Sequence, residues 1–244
     1  MTLPSSNPRR PSGGWPAEDE RPLPEPGFVR KVAEDLWEGF FALFVWTVAL
    51  WILGIPVIWA AVSSAPLGLI LAVLTLAPGL AGLMTIAGNL ARGGFARLGD
   101  AWRGTFRLYW RSVALTLPMA FWAALILLTA NIVSAFPERR ELFIAWAFQV
   151  GIGMVGVVLH LYLFPILVLH DAAPRQAVGL AFMLAGKHVW QTLALLALGA
   201  VLLAATTLHP AVWLFVPGVW CVIAANATWR MTRQLAPNPD GIDK

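Results

Sequence analysis

The chain has 244 residues, 59% of them hydrophobic and 12% charged, with a formal net charge of +4. A soluble domain with so few charges lacks the polar surface to stay dispersed, so this composition excludes an ordinary water-soluble protein and makes lipid the natural solvent. The lone Cys221 excludes an intrachain disulfide. The basic residues flank apolar stretches instead of forming a nucleic-acid patch, so the charge reads as topology and no nucleic-acid partner is expected.

Residues 1–27 hold seven prolines, Arg9, Arg10, Arg21 and an acidic run Glu18-Asp19-Glu20, with no apolar stretch. They read as a disordered cytoplasmic tail without the apolar core of a secretory signal, so the first span is expected to be retained. Residues 28–232 read as a single transmembrane helical domain and 233–244 as a short cytoplasmic tail. A helix needs about 20 apolar residues to cross a hydrocarbon core of roughly 30 Å. Six stretches meet that need: 40–62, 67–90, 113–135, 142–169, 189–208 and 210–228. Five are expected to carry interior prolines (Pro56, Pro78, Pro118, Pro165, Pro217), which membranes tolerate where neighbouring groups bond the freed carbonyls. Only His209 and Pro210 separate the last two stretches, so a re-entrant pair is the alternative there.

Charge tests this count independently of hydropathy. Fifteen Lys and Arg fall on one side of a six-span topology, in the N-terminal segment, the 92–112 and 171–188 loops and the C-terminal tail, against only Arg139 and Arg140 on the other. The positive-inside rule then places both termini in the cytoplasm of a multi-pass cell-membrane protein.

Two of the basic segments have a helical pattern of their own. Phe95, Leu98, Trp102, Phe106 and Tyr109 recur at spacings of three and four, with Arg103, Arg107 and Arg111 elsewhere around the helix. That pattern predicts an amphipathic helix on the membrane surface. Val178, Phe182, Ala185 and Val189 repeat it faintly between Arg175 and Lys187. A shift of 80 residues superimposes Leu98-Gly99-Asp100-Ala101-Trp102 on Val178-Gly179-Leu180-Ala181-Phe182, and Trp110-Arg111-Ser112 on Trp190-Gln191-Thr192. Either the unit is duplicated or low-complexity apolar sequence matches by chance. A third copy is expected from Val29, Val32, Leu36 and Phe40. The fold class is therefore all-α: about six transmembrane helices as three hairpins, each preceded by a cytoplasmic amphipathic interfacial helix.

Chemistry is sparse. Gly88-Asn89-Leu90-Ala91-Arg92-Gly93-Gly94 lacks the Lys-Ser/Thr ending of a phosphate loop, and no zinc or nucleophile motif occurs. No catalytic, metal or cofactor site is expected. Within the spans the ionisable residue of note is His160, with Asn131, Gln149 and Asn226 as polar candidates to join it; a neutral histidine bonded inside the bundle is the simpler reading. No Asp or Glu is expected to be embedded, which counts against ion-coupled transport. Arg103, Arg107, Arg111, Trp102 and Trp110 are the candidates for contact with anionic lipid headgroups or a partner protein.

The patches Leu50-Trp51-Ile52-Leu53-Gly54-Ile55-Pro56, Ala77-Pro78-Gly79-Leu80-Ala81-Gly82-Leu83, and Asn89-Leu90-Ala91-Arg92-Gly93 leading to Ala101-Trp102-Arg103-Gly104-Thr105-Phe106-Arg107-Leu108-Tyr109-Trp110-Arg111-Ser112 together resemble the YesL family (domain of unknown function 624) of small bacterial membrane proteins. The resemblance spans about residues 37–232. It implies an inner-membrane accessory or scaffolding component, associated with an ATP-driven sugar importer and so with a membrane permease, and it carries over no catalytic residue. A small transporter or channel-like protein and a membrane-embedded enzyme are the competing readings.

Overall fold

The computed structural model describes residues 27–235; the expectations for the tail before Gly27 and for the last residues of the C-terminal tail lie outside them. Each described element is helical. They are α1 (Phe28–Ser63), α2 (Ala65–Ala91), α3 (Leu98–Arg107), α4 (Tyr109–Ala135), α5 (Arg140–Leu169), α6 (Pro174–Lys187), α7 (Val189–Leu208), a 3-10 turn (Pro210–Leu214) and α8 (Val216–Leu235). Among the described residues, α1, α2, α4, α5 and α7 are long and apolar enough to cross a membrane. The described residues are thus all-helical in architecture, with five candidate spans.

The sixth stretch differs from its expectation. The region 210–228 is divided between the 3-10 turn and α8, and α8 reaches Arg230 and Arg233 before it accumulates the roughly 20 apolar residues a crossing needs. Pro217 sits in the first turn of α8, not its interior. There its missing N–H costs no bond within α8, since the carbonyl four residues back, Trp213, belongs to the preceding 3-10 turn.

The 80-residue shift has a counterpart in the helices. A one-residue break at Leu108 separates α3 from α4, and one at His188, 80 positions later, separates α6 from α7. Buried positions recur at the same shift, with Ala101 and Ala181, Gly104 and Leu184, Ser112 and Thr192, and Leu115 and Leu195 all inside. So do outward aromatics, Trp102 with Phe182 and Trp110 with Trp190. The α3 helix lies against α2 as α6 lies against α5. The expected third copy behaves otherwise: no break interrupts α1 between Val29 and Phe40, and at about 1.5 Å per residue its 36 residues exceed the thickness of a hydrocarbon core.

Local chemistry accounts for the irregularities. A wide π turn at Ala72–Leu76 precedes Pro78, whose ring nitrogen leaves the Leu74 carbonyl without its helical donor. The Tyr109 hydroxyl, at the start of α4, donates to that carbonyl at 3.0 Å. Pro217 likewise frees the Trp213 carbonyl, and the Trp51 indole N–H of α1 donates to it at 2.9 Å. Each proline thus helps fasten one helix to another. At the end of α2, Gly93 takes φ +79° while its N–H bonds the Leu90 carbonyl and that of Gly94 bonds the Asn89 carbonyl, both at 2.8 Å. The glycine-rich stretch rejected above as a phosphate loop is a Schellman helix stop.

The core gathers the second half of α2, the last turns of α5, the middle of α8 and the inner faces of α1, α3 and α6. Small residues make it possible. A Cβ on Gly79 would lie 2.3 Å from the Leu50 side chain, on Gly39 2.5 Å from that of Leu90, and on Gly82 2.8 Å from the Ala101 carbonyl. Helices in lipid associate through such close approach, because lipid supplies no hydrophobic drive between them. The α4 helix stands at the edge, with 6% of its most apolar window buried against 56% for α2.

Candidate functional site

Three helices, α1, α2 and α8, meet around Asp35. Its side chain on α1 is 1% exposed; the Lys31 ammonium one turn earlier lies 2.5 Å from Oδ1, and the Asn226 amide of α8 donates to Oδ2 at 2.8 Å. Lys31 also reaches the Leu90 carbonyl at the end of α2, at 3.4 Å, and Asn226 reaches the Val222 carbonyl at 3.0 Å. A carboxylate is tolerated in such a place only when charge and hydrogen bonds replace its lost water. Here they do, and the result ties α1, α2 and α8 together.

No acidic residue is expected inside the apolar stretches, and this one lies before the first of them yet is buried within the protein. Asp35 precedes the apolar stretch at 40–62, so hydropathy assigned it to the surface; continuity of α1 and the approach of α8 bury it. A signal existed in the sequence. Lys31 and Asp35 stand at i and i+4 on the face that carries Val32 and Gly39, both buried.

Around this clamp lies a ring of cations and aromatics. Arg92 donates to the Val168 carbonyl at 3.2 Å and to that of Leu169, bonding the negative end of α5, and stands 5.9 Å from the centroid of the Trp229 ring. Arg233 covers the same ring at 5.6 Å, and Arg230 covers Phe28 at 5.4 Å. His170, just beyond α5, is held below its usual pKa by burial first and then by the Arg92 charge.

The expected polar residues do not meet. Asn226 belongs to the clamp, while Asn131 is exposed and its carbonyl accepts from Ser134 at 2.8 Å. The Gln149 carbonyl accepts from the Trp122 indole at 2.9 Å, and its side-chain oxygen is buried without a partner. His160 bonds within its own helix, Nδ1 lying 3.2 Å from the Gly156 carbonyl, with Nε2 buried and unpartnered. It lines an open-sided cleft of about 580 Å³ between α4 and α5, closed at one end by α6.

Of the interfacial candidates, Arg103 is 3.9 Å from Asp100, Arg107 is exposed, and Arg111 pairs with Asp171 at 2.7 Å. Trp102 is exposed and edges against Trp46 and Phe106; Trp110 is exposed beside Tyr109. Among the described residues no group of three His, Cys, Asp or Glu is placed to hold a metal ion.

No protein-family model matches the chain, and neither a curated protein nor a solved structure shows significant similarity to it.

Proposed function

We propose that this protein is an accessory or scaffolding component of the membrane, without catalytic activity of its own, that offers the outer faces of α4 and α7 to the spans of a larger membrane protein. The observation that carries this reading is the exposure of α4: it is as apolar as the central helices, yet almost none of it is covered within the chain. In the proposed topology the 3-10 turn and α8 together make a sixth crossing, so that three helical hairpins cross the cell membrane with α3, α6 and both termini at the cytoplasmic face, consistent with fifteen basic residues against two. The likeness to the YesL family suggests the permease of an ATP-driven sugar importer as the partner. Trp102, Phe106 and Trp110, exposed beside Arg103 and Arg107, suit contact with anionic headgroups.

The test is photo-crosslinking from Leu127 and Leu128, both outward on α4, in native membranes. Reproducible adducts with a permease subunit are expected. Lipid adducts alone, with no protein recovered in affinity purification, would remove this reading.

Buried Asp35 favours a second reading, a small transporter, since an acid held inside a helix bundle next to a cation is a candidate for an ion or substrate path. Uptake by purified protein in liposomes that is lost in a folded Asp35→Asn variant would support it. Absence of any uptake by the unaltered protein would leave Asp35 as a structural clamp.

A further inference from the structure

We infer that the cleft between α4 and α5 is a binding site for one anionic phospholipid of the bilayer, an acyl chain lying along α5 and the phosphate resting on Arg175. Three observations lead there. The first is depth. The cleft runs from Pro174 and Arg175, beyond the end of α5, past Pro118 and Gly156 to Trp122 and Ile152. At 1.5 Å per residue Leu163 and Ile152 are roughly 16 Å apart along the helix, which takes the cleft from one end of the spans well into the hydrocarbon.

The second observation is the wall. Leu115, Met119, Val155 and Leu159 line it, and its polar side chains inside the spans present no accessible bonding atom: the Trp122 indole is bonded to the Gln149 carbonyl, His160 Nδ1 lies against the Gly156 carbonyl, and His160 Nε2 is buried. A water-soluble ligand finds nothing to bond inside. A hydrocarbon chain needs nothing.

The third is charge. Arg175 is exposed at the mouth and has no ion pair among the described residues, whereas nearby Arg111 is neutralised by Asp171 at 2.7 Å. An apolar slot with one uncompensated cation at its interfacial end matches an anionic amphiphile, and the bilayer supplies phospholipids of that kind at the depth where α5 ends. The inference stands whether or not α4 also meets a protein partner. It requires only that the α6 end of the cleft lie at a membrane surface.

Native mass spectrometry of the purified full chain, equilibrated with equimolar phosphatidylglycerol and phosphatidylcholine of identical chains, tests it. One phosphatidylglycerol should be retained with about fivefold preference, the factor corresponding to roughly 1 kcal/mol for one basic residue near a membrane surface. Arg175→Gln should bring the two lipids to parity, Val155→Trp should lower retention of both by filling the slot, and Arg103→Gln, outside the cleft, should change neither. Inorganic phosphate should not compete, since it has no chain. Three results would overturn the inference: unchanged preference in Arg175→Gln, an equal loss in Arg103→Gln, or full retention in Val155→Trp variants that elute as monodisperse helical protein. Arg175 is exposed and in no ion pair among the described residues, so its variant remains informative even if Val155→Trp does not fold.

Discussion

Helices α2 and α4 are both 27 residues long and equally apolar, yet α2 lies at the centre of the fold and α4 at its rim. The difference is side-chain size. From Ala77 to Ala91 nearly half the residues are Ala or Gly, and those small residues let neighbouring helices approach closely: a Cβ on Gly79 would stand 2.3 Å from Leu50 of α1, and one on Gly88 would meet Val168 of α5 tightly at 3.1 Å. The α4 sequence has no glycine and turns Leu117, Phe121, Leu127 and Leu128 outward. Hydrocarbon solvates leucine as well as another helix does, so burial here follows close approach and polar bonding more than hydropathy.

The contrast can be broken at its strongest point by Asp35→Ala. This leaves the Lys31 ammonium and the Asn226 amide in the core without their shared carboxylate, and removing one partner of a buried pair costs about 3–5 kcal/mol. Thermal unfolding in detergent, followed by circular dichroism, should show a corresponding fall in midpoint, with loss of folded protein as the extreme result. Paired truncations sharpen the comparison. Leu83→Ala, in a fully buried position on α2, should cost about 2–5 kcal/mol, whereas Leu128→Ala on α4, 57% exposed, should stay within about 0.5 kcal/mol. Equal losses would mean that α4 is covered even in purified protein.

A smaller effect is expected where the two helices touch. Tyr109→Phe removes the hydroxyl that bonds the Leu74 carbonyl freed by Pro78, at a cost of about 0.5–1.5 kcal/mol. With Pro78→Ala the carbonyl regains a backbone donor, so the double variant should lose less than the two singles together in the same unfolding assay. The smallest effect is on pH. His170 titrates below the ordinary histidine value of 6.5, so the unfolded chain takes up the proton first as pH falls. Its contribution is intact above about pH 6.5 and declines as pH drops through 6.5 toward the folded pKa. A midpoint that falls from pH 7.5 to 5.5 less in His170→Gln than in the unaltered protein would register it.

The 80-residue register was legible in the sequence, where Trp110-Arg111-Ser112 matches Trp190-Gln191-Thr192; the helix breaks at Leu108 and His188, which fall at the same shift, came with the structure. What that register could not convey was partnership. Asn226 looked like a companion for His160 and proved to be the amide donor to Asp35, 191 positions away in the chain. Pro217 looked like an interior kink and proved to sit in the first turn of α8, leaving the Trp213 carbonyl of the preceding 3-10 turn to accept from the Trp51 indole.

The sequence by itself determined that the chain is helical and lives in lipid, and where five of its long apolar helices run. Those properties are sums over neighbouring residues: transfer free energy accumulates along a segment and backbone bonds close within it. The tertiary structure alone decided which apolar helix is core and which is rim, that Asp35 is buried, and that α8 stops short of a full apolar span while packing at the centre. Each of these depends on what another segment, far along the chain, brings into contact, and local composition carries no record of that pairing.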